Sequence, residues 1–285
     1  MESSLNIAQY FERIQGSLAE PIDSYKIIDR GWTNIIIEIN KRWIFRFVRD
    51  INNRQIAIEQ DFLPKFAGVS PVKIPEIILS DRDYIAYVKI PGERFSPEKF
   101  LLFSNSQKTA TIKLLGEFLT CLHNFQFSHQ YLSAAPYGGG DFWNDLWFAV
   151  KDNLSAPTKQ KAEKYFRDAM AQIKSIPWKK TLIHADLGTN NILMDFQQNS
   201  LSGIIDFGDL CLGDPAADFA SFYRNFGRQF VRELLYYYQR SVEDNFWTRI
   251  EYESKRKMFL MVYFAHNYGF ESEIPHILQY IEELF

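Results

Sequence analysis

Between Thr181 and Asp209 the chain alternates short apolar runs with polar turns, and this alternation constrains how the stretch folds. Thr181-Leu182-Ile183 reads as a strand. His184-Ala185-Asp186-Leu187-Gly188-Thr189-Asn190-Asn191 follows, then the apolar Ile192-Leu193-Met194, a polar turn at Gln197-Gln198-Asn199, and Gly203-Ile204-Ile205. Two apolar runs joined by such a turn predict a hairpin. A hairpin sets its outer ends side by side. Asn191, which enters it, and Asp206, which leaves it in Ile205-Asp206-Phe207-Gly208-Asp209, are therefore expected at the same end.

That juxtaposition has a chemical meaning. Phosphoryl transfer asks little covalent help of a protein; it needs in-line positioning and compensation of phosphate charge. Asp186, on the loop after the first strand, has the place and chemistry to accept a hydrogen bond from an acceptor hydroxyl. Asn191 and Asp206 offer hard oxygen ligands suited to Mg²⁺, beside a nucleoside triphosphate, ATP or GTP. Each motif alone also fits a plain turn, with Asp186 and Asn191 shaping a loop and Asp206 ending a strand. Their order and separation together favour the phosphoryl-transfer reading. His184 reads as a scaffold that pins the neighbouring loop rather than as a proton carrier. In Gly213-Asp214-Pro215 and the following Asp218, the acids read as structural support, with Asp218 a helix cap.

The rest of the chain divides by periodicity. Residues 5 to 18 carry apolar side chains at helical spacing. Strands are expected over Tyr25–Arg30, Asn34–Ile39, Trp43–Val48, Glu76–Leu79 and Tyr84–Ile90, with a helix over Ile56–Phe66 that Pro64 threatens to cut short. Beyond Pro91-Gly92, helices are expected over Lys108–Phe125, Asp141–Val150, Lys159–Ile176, Arg228–Ser241 and most of Glu251–Phe285, broken near Gly269 to Pro275. This is an α+β arrangement: a small β-rich N-terminal lobe over 1–90 and a larger helical C-terminal lobe over 91–285 that carries the Asp186 loop.

Composition narrows the class. A chain of 285 residues with 46% apolar residues and 25 Phe can bury a large core and is not disordered. A net charge of −3 without a Lys/Arg run argues against nucleic acid as a partner. Cys121 and Cys211 lie far apart and read as free thiols. The start of the chain lacks a signal peptide, and the longest apolar stretch near its end, Phe259 to Ala265, is too short to span a bilayer. The expectation is a cytoplasmic monomer with no membrane partner.

On these motifs the chain resembles the aminoglycoside phosphotransferase and choline kinase family, which has a bilobal, protein-kinase-like fold. The resemblance runs over most of the chain and is carried by His184 through Asn191, Ile205 through Asp209, and Gly213-Asp214-Pro215 with Asp218. Gly188 stands where protein kinases carry a Lys, which points to a small-molecule acceptor. The N-terminal half looks most like the gentamicin-modifying branch. The resemblance implies that Arg46 in Ile44-Phe45-Arg46-Phe47 contacts the α- and β-phosphates, in a place where that branch commonly has Lys, and that Glu59 pairs with it. It implies that the turn through Gly31-Trp32-Thr33-Asn34 covers the nucleotide, with Thr33 in contact. It also implies that the backbone at Val88, Lys89 and Ile90 meets the purine, with Tyr87 as gatekeeper; so bulky a residue narrows the pocket and favours guanine.

The resemblance implies an aminoglycoside acceptor and a role in antibiotic resistance. Polycationic acceptors call for carboxylates, yet Phe219 to Asn225 carries none and has one Arg. Glu271 and Glu273 are the candidate acceptor-site acids. Choline-like, macrolide and sugar acceptors stay open, as does a nucleotide-binding regulatory pseudokinase. A pseudokinase would be expected to have lost Asp186, Asn191 or Asp206, and all three are present.

Overall fold

The computed structural model describes residues 7–28, 34–49, 55–133 and 140–285, with the backbone alone at 7 and 140–144. The first half is built on an antiparallel sheet of five strands: β1 (Tyr25–Ile28), β2 (Asn34–Ile39), β3 (Trp43–Val48), β4 (Ile77–Asp81) and β5 (Tyr84–Val88), in the order β1-β2-β3-β5-β4. Its central strands are buried on both faces, and so lack polar alternation. Along β3, Phe45 and Phe47 pack toward α1 (Ile7–Ser17), where Tyr10 lies 4.7 Å from Phe47 between ring centres. Ile44 and Val48 point the other way, into the main core, together with Ile85 and Tyr87 of β5.

That second face meets α2 (Gln55–Ala67), whose buried stripe is Glu59, Phe62, Leu63 and Phe66. Pro64 sits inside α2 without ending it. The proline lies in the last turn, where little helix remains to break. Phe62 and Phe66 stack on each other and reach Phe207 and Phe118, so one continuous core runs from the sheet into the helices.

After a short strand β6 (Glu93–Arg94) come α3 (Pro97–Leu101), α4 (Asn105–Asn124), α5 (Gly140–Val150) and α6 (Ala156–Ser175). Strands return as β7 (Thr181–Ile183), β8 (Ile192–Asp195), β9 (Ser200–Ile204) and β10 (Cys211–Gly213); helices α7 (Ala217–Tyr237), α8 (Phe246–Asn267) and α9 (Ile274–Leu284) close the chain. The hairpin β8–β9 pairs Ile192 with Ile204, and β6 adds to its edge; β10 pairs back onto β7. Among the described residues both cysteines are free, and no helix is long and apolar enough to cross a membrane.

Helix boundaries depart from the sequence reading at α7. The expected helix from Arg228 is the second half of a longer element, broken at Gly227, whose φ of 79° is left-handed. The first half starts at Ala217 and buries Asp218, Phe219, Ala220 and Phe222, and α7 packs against both α4 and α8. Asp218 is therefore not the cap of this helix: Ala216 holds that position, and Asp214 accepts from the Ala216 N–H at 2.9 Å.

Candidate active site

The hairpin brings Asn191 and Asp206 together by its own register. Ile192 and Ile204 are the last paired residues, so the next hydrogen bond, Ile205 N–H to Asn191 O at 2.9 Å, joins the flanking residues. Asp206 follows at φ 65°, a left-handed conformation that turns the chain out of the strand. Asn191 is buried, while Asp206 is about one-third exposed.

Asp186 enters from β7. Asn191 donates its Nδ2 to both Asp186 O and Asp186 Oδ2, each at 2.9 Å. The other carboxylate oxygen, Oδ1, accepts from Lys257 Nζ of α8 at 2.9 Å. Burial pushes the Asp186 carboxyl up, but Lys257, His184 and the Asn191 hydrogen bond outweigh it and hold the group below the usual carboxylate range. Asp186 is thus an anion at neutral pH, with both oxygens oriented. Burial, with the Asp186 and Asp206 charges close by, pushes Asp209 up to about 6.

The loop that carries Asp186 is held from behind. Ala185 has φ 65°, and the N–H groups of His184 and Ala185 donate to Oδ2 and Oδ1 of Asp218, each at 2.9 Å. Asp218 also faces His123 Nε2 at 3.0 Å, and His123 Nδ1 faces the Tyr238 hydroxyl at 2.7 Å. The consistent tautomer has Nε2–H donating to Asp218 and Nδ1 accepting from Tyr238. The His184 ring spans the two motifs, with Nδ1 accepting from Asp186 N–H at 3.3 Å and Nε2 facing Ile205 O at 3.2 Å. Asp214 pairs with the fully buried Arg249 at 2.9 Å, and Arg249 also binds Glu243.

On the sheet side, Arg46 of β3 is buried in an otherwise apolar face. A charge there needs a partner, and Glu59 of α2 forms a direct ion pair with it. Arg46 Nη1 lies 3.5 Å from Asp206 Oδ1, and a side chain at Gly208 would come within 3.0 Å of the same nitrogen. Tyr87 shares this face; burial, and less strongly Asp206, pushes its phenol up to about 12 against the pull of Arg46, so it stays neutral. Ile90 is buried against Gly203, and Val88 is partly exposed. The Lys89 N–H is already donated to Arg42 O at 2.7 Å, so this donor is not free for a base. Thr33 and the turn over residues 31–33 lie outside the described residues.

The donor set suits a magnesium ion. Asn191 uses Nδ2 on Asp186, which leaves Oδ1 as its ligating atom, and Asp206 adds a carboxylate; two protein oxygens completed by phosphate oxygens and water is an ordinary Mg²⁺ arrangement. Among the described residues no cluster of three or more His, Cys, Asp or Glu could hold a metal by itself, so the fit rests on Asn191 and Asp206.

Two residues here have no local signal in the sequence. Lys257 sits in the run Lys255-Arg256-Lys257, which reads as a solvated helix face, yet it reaches Asp186 across 71 positions. Arg249 is among the largest fully buried side chains of the described residues, although a lone arginine in a helix reads as solvent-facing. The expected acceptor-site acids, Glu271 and Glu273, are exposed on the short turn between α8 and α9.

Residues 24–253 match the profile of the phosphotransferase enzyme family, which is most of the chain. The chain belongs to this family. Among curated relatives of this phosphotransferase, viomycin phosphotransferase from Streptomyces vinaceus is 21% identical over 155 residues, so the match spans about half of each protein. Two solved structures share the fold over nearly their whole length. A GDP and kanamycin complex of APH(2'')-IIIa gives a TM-score of 0.83 at 20% identity, covering 97% of this phosphotransferase and 98% of that chain. Macrolide 2'-phosphotransferase type I gives 0.73 at 16% identity, covering 98% and 97%.

Proposed function

We propose that this phosphotransferase moves the γ-phosphate of a purine nucleoside triphosphate to a hydroxyl of a small molecule, with aminoglycosides as the first acceptor class. The observation that carries the reading is the convergence of Asp186, Asn191 and Asp206 with Arg46 behind them. Asp186 accepts the hydrogen bond of the acceptor hydroxyl and orients its oxygen toward phosphorus. Asn191 and Asp206 hold Mg²⁺, which when bound neutralises phosphate charge. Arg46, fixed by Glu59, contacts the nucleotide phosphates. Tyr87 and the backbone at Val88 and Ile90 border the base, with Thr33 on the covering turn. His184, Asp214 and Asp218 support the loop. The neighbouring structure's GDP and kanamycin support the donor and acceptor classes, and the bulk of Tyr87 supports GTP over ATP. The reading places the enzyme in the cytoplasm, where its nucleotide is.

A different hydroxylated acceptor is the second reading, favoured by charge. Lys257 contacts Asp186, and Arg224 of α7 donates to Ser254 O one turn earlier on α8, with no carboxylate between Phe219 and Asn225. Two cations beside the catalytic carboxylate weaken the attraction for a polycation. The macrolide kinase likeness fits this acceptor chemistry. The test is a phosphorylation screen over aminoglycosides, macrolides, choline-like amines and sugars with MgGTP and MgATP. Transfer to aminoglycosides supports the first reading and transfer to another class the second. Undiminished transfer by Asp186→Ala, in a folded protein, would reject both.

A further inference from the structure

We propose that Lys257 is a positioning residue for this reaction: from α8 it fixes one oxygen of the Asp186 carboxylate while Asn191 fixes the other. The inference rests on the phosphotransferase reading and adds a residue to it.

A carboxylate that meets an acceptor hydroxyl has two oxygens and a free torsion. With only one oxygen held, the other swings, and the hydroxyl is not kept in line with phosphorus. Here Asn191 Nδ2 holds Oδ2 and Lys257 Nζ holds Oδ1, both at 2.9 Å, from elements 66 residues apart in sequence. Each oxygen keeps a second lone pair for the acceptor. Small errors in this geometry are costly, since a displacement of about 1 Å loses roughly 100-fold in rate.

The loop itself is closely packed beside Asp186. A Cβ at Gly188, two residues after Asp186, would lie 2.9 Å from Ser221 Oγ of α7. Ser221 is itself held, accepting from Asn225 Nδ2 at its carbonyl (2.8 Å) and hydroxyl (3.2 Å). The loop that carries Asp186 is thus pressed against α7 at Gly188. Lys257 approaches from the next helix. Its side chain is 28% exposed, and its neighbour Arg256 is turned away onto Glu253 at 2.6 Å.

The experiment compares Lys257→Met, Lys257→Arg, Asp186→Asn and the Asp186→Asn/Lys257→Met double variant of the full chain. It measures Mg²⁺-dependent turnover of GTP and ATP with water as acceptor, alongside thermal unfolding. A positioning role predicts that Lys257→Met lowers kcat roughly 10- to 100-fold with nucleotide KM within about twofold. It further predicts that Lys257→Arg recovers most of the loss, and that Lys257→Met costs nothing further on Asp186→Asn. An unchanged kcat, a KM that moves with it, or an equal loss on the Asp186→Asn background overturns the proposal. A second measurement needs no activity. The Lys257 ammonium, seen by ¹⁵N NMR and assigned with Lys257→Arg, gives a slowly exchanging signal that Asp186→Asn abolishes; its absence from the wild type also overturns the proposal. A wild type that shows the signal but turns over neither nucleotide rejects the kinase reading and, with it, the catalytic purpose of the pair.

Discussion

The carboxylate of Asp218 spans the backbone of Ala185: it binds the Ala185 N–H through Oδ1 and the preceding N–H through Oδ2, each at 2.9 Å. Ala185 is thereby held at φ 65°, and the next residue, Asp186, turns its carboxylate to Asn191 and Lys257. A strained left-handed alanine persists only where surrounding bonds over-determine it. Asp218→Asn replaces one acceptor by a donor that faces an N–H. It is expected to lower stability by about 2–3 kcal/mol and kcat by roughly tenfold or more. Urea unfolding and steady-state turnover check the two effects separately.

Glu59 is the sole side-chain carboxylate that the buried Arg46 meets from α2. Glu59→Gln leaves a guanidinium in an apolar face with, among the described residues, the more distant Asp206 to compensate. The expected cost is about 3–5 kcal/mol, with a raised nucleotide KM. The double variant Arg46→Met/Glu59→Leu removes both charges and is expected to recover much of the stability but none of the activity. Denaturant curves of the three proteins decide this.

Arg13 ties α1 to the β4–β5 turn through Asp83, at 2.6 and 2.5 Å. The Arg13 hydrogen bond, opposed by burial, holds the Asp83 carboxyl below its ordinary 3.8. A folded-state value below the unfolded one contributes stability above the unfolded value, and this is lost as pH falls through the folded value. The pair is partly exposed and screened, so Asp83→Asn should cost about 0.5–1 kcal/mol at pH 7. That difference should shrink toward zero below pH 3.8, as read from thermal unfolding at a series of pH values.

Gly116 lies where α4 crosses α7. An added Cβ would come 2.7 Å from Tyr237 Cβ, 3.0 Å from Leu234 O and 3.1 Å from the Tyr237 carbonyl carbon. Two of these are backbone atoms and cannot swing aside. Alanine improves helix propensity by about 1 kcal/mol, but separating the helices costs about 1–3 kcal/mol. Gly116→Ala is therefore expected to destabilise, and unfolding in guanidinium checks the sign.

Much of the architecture was legible because it is local. Strands β2 and β3 begin and end where their apolar runs do, at Asn34–Ile39 and Trp43–Val48. The hairpin from Ile192 to Ile204 sets Asn191 beside the residues that precede Asp206, because a turn of the right length pairs its flanks whatever surrounds it. α3 and β10 are not legible in the sequence because five and three residues carry too little period.

The sequence by itself determined which side chains are candidates for the chemistry and in what order most strands and helices follow, since both depend on neighbours a few residues away. Only the tertiary structure decided what grips Asp186. Lys257, Asp218 and His123 reach the catalytic region from α8, α7 and α4. Their places are set by how helices pack, and no short-range pattern in the chain encodes which polar side chain a packed helix will turn inward.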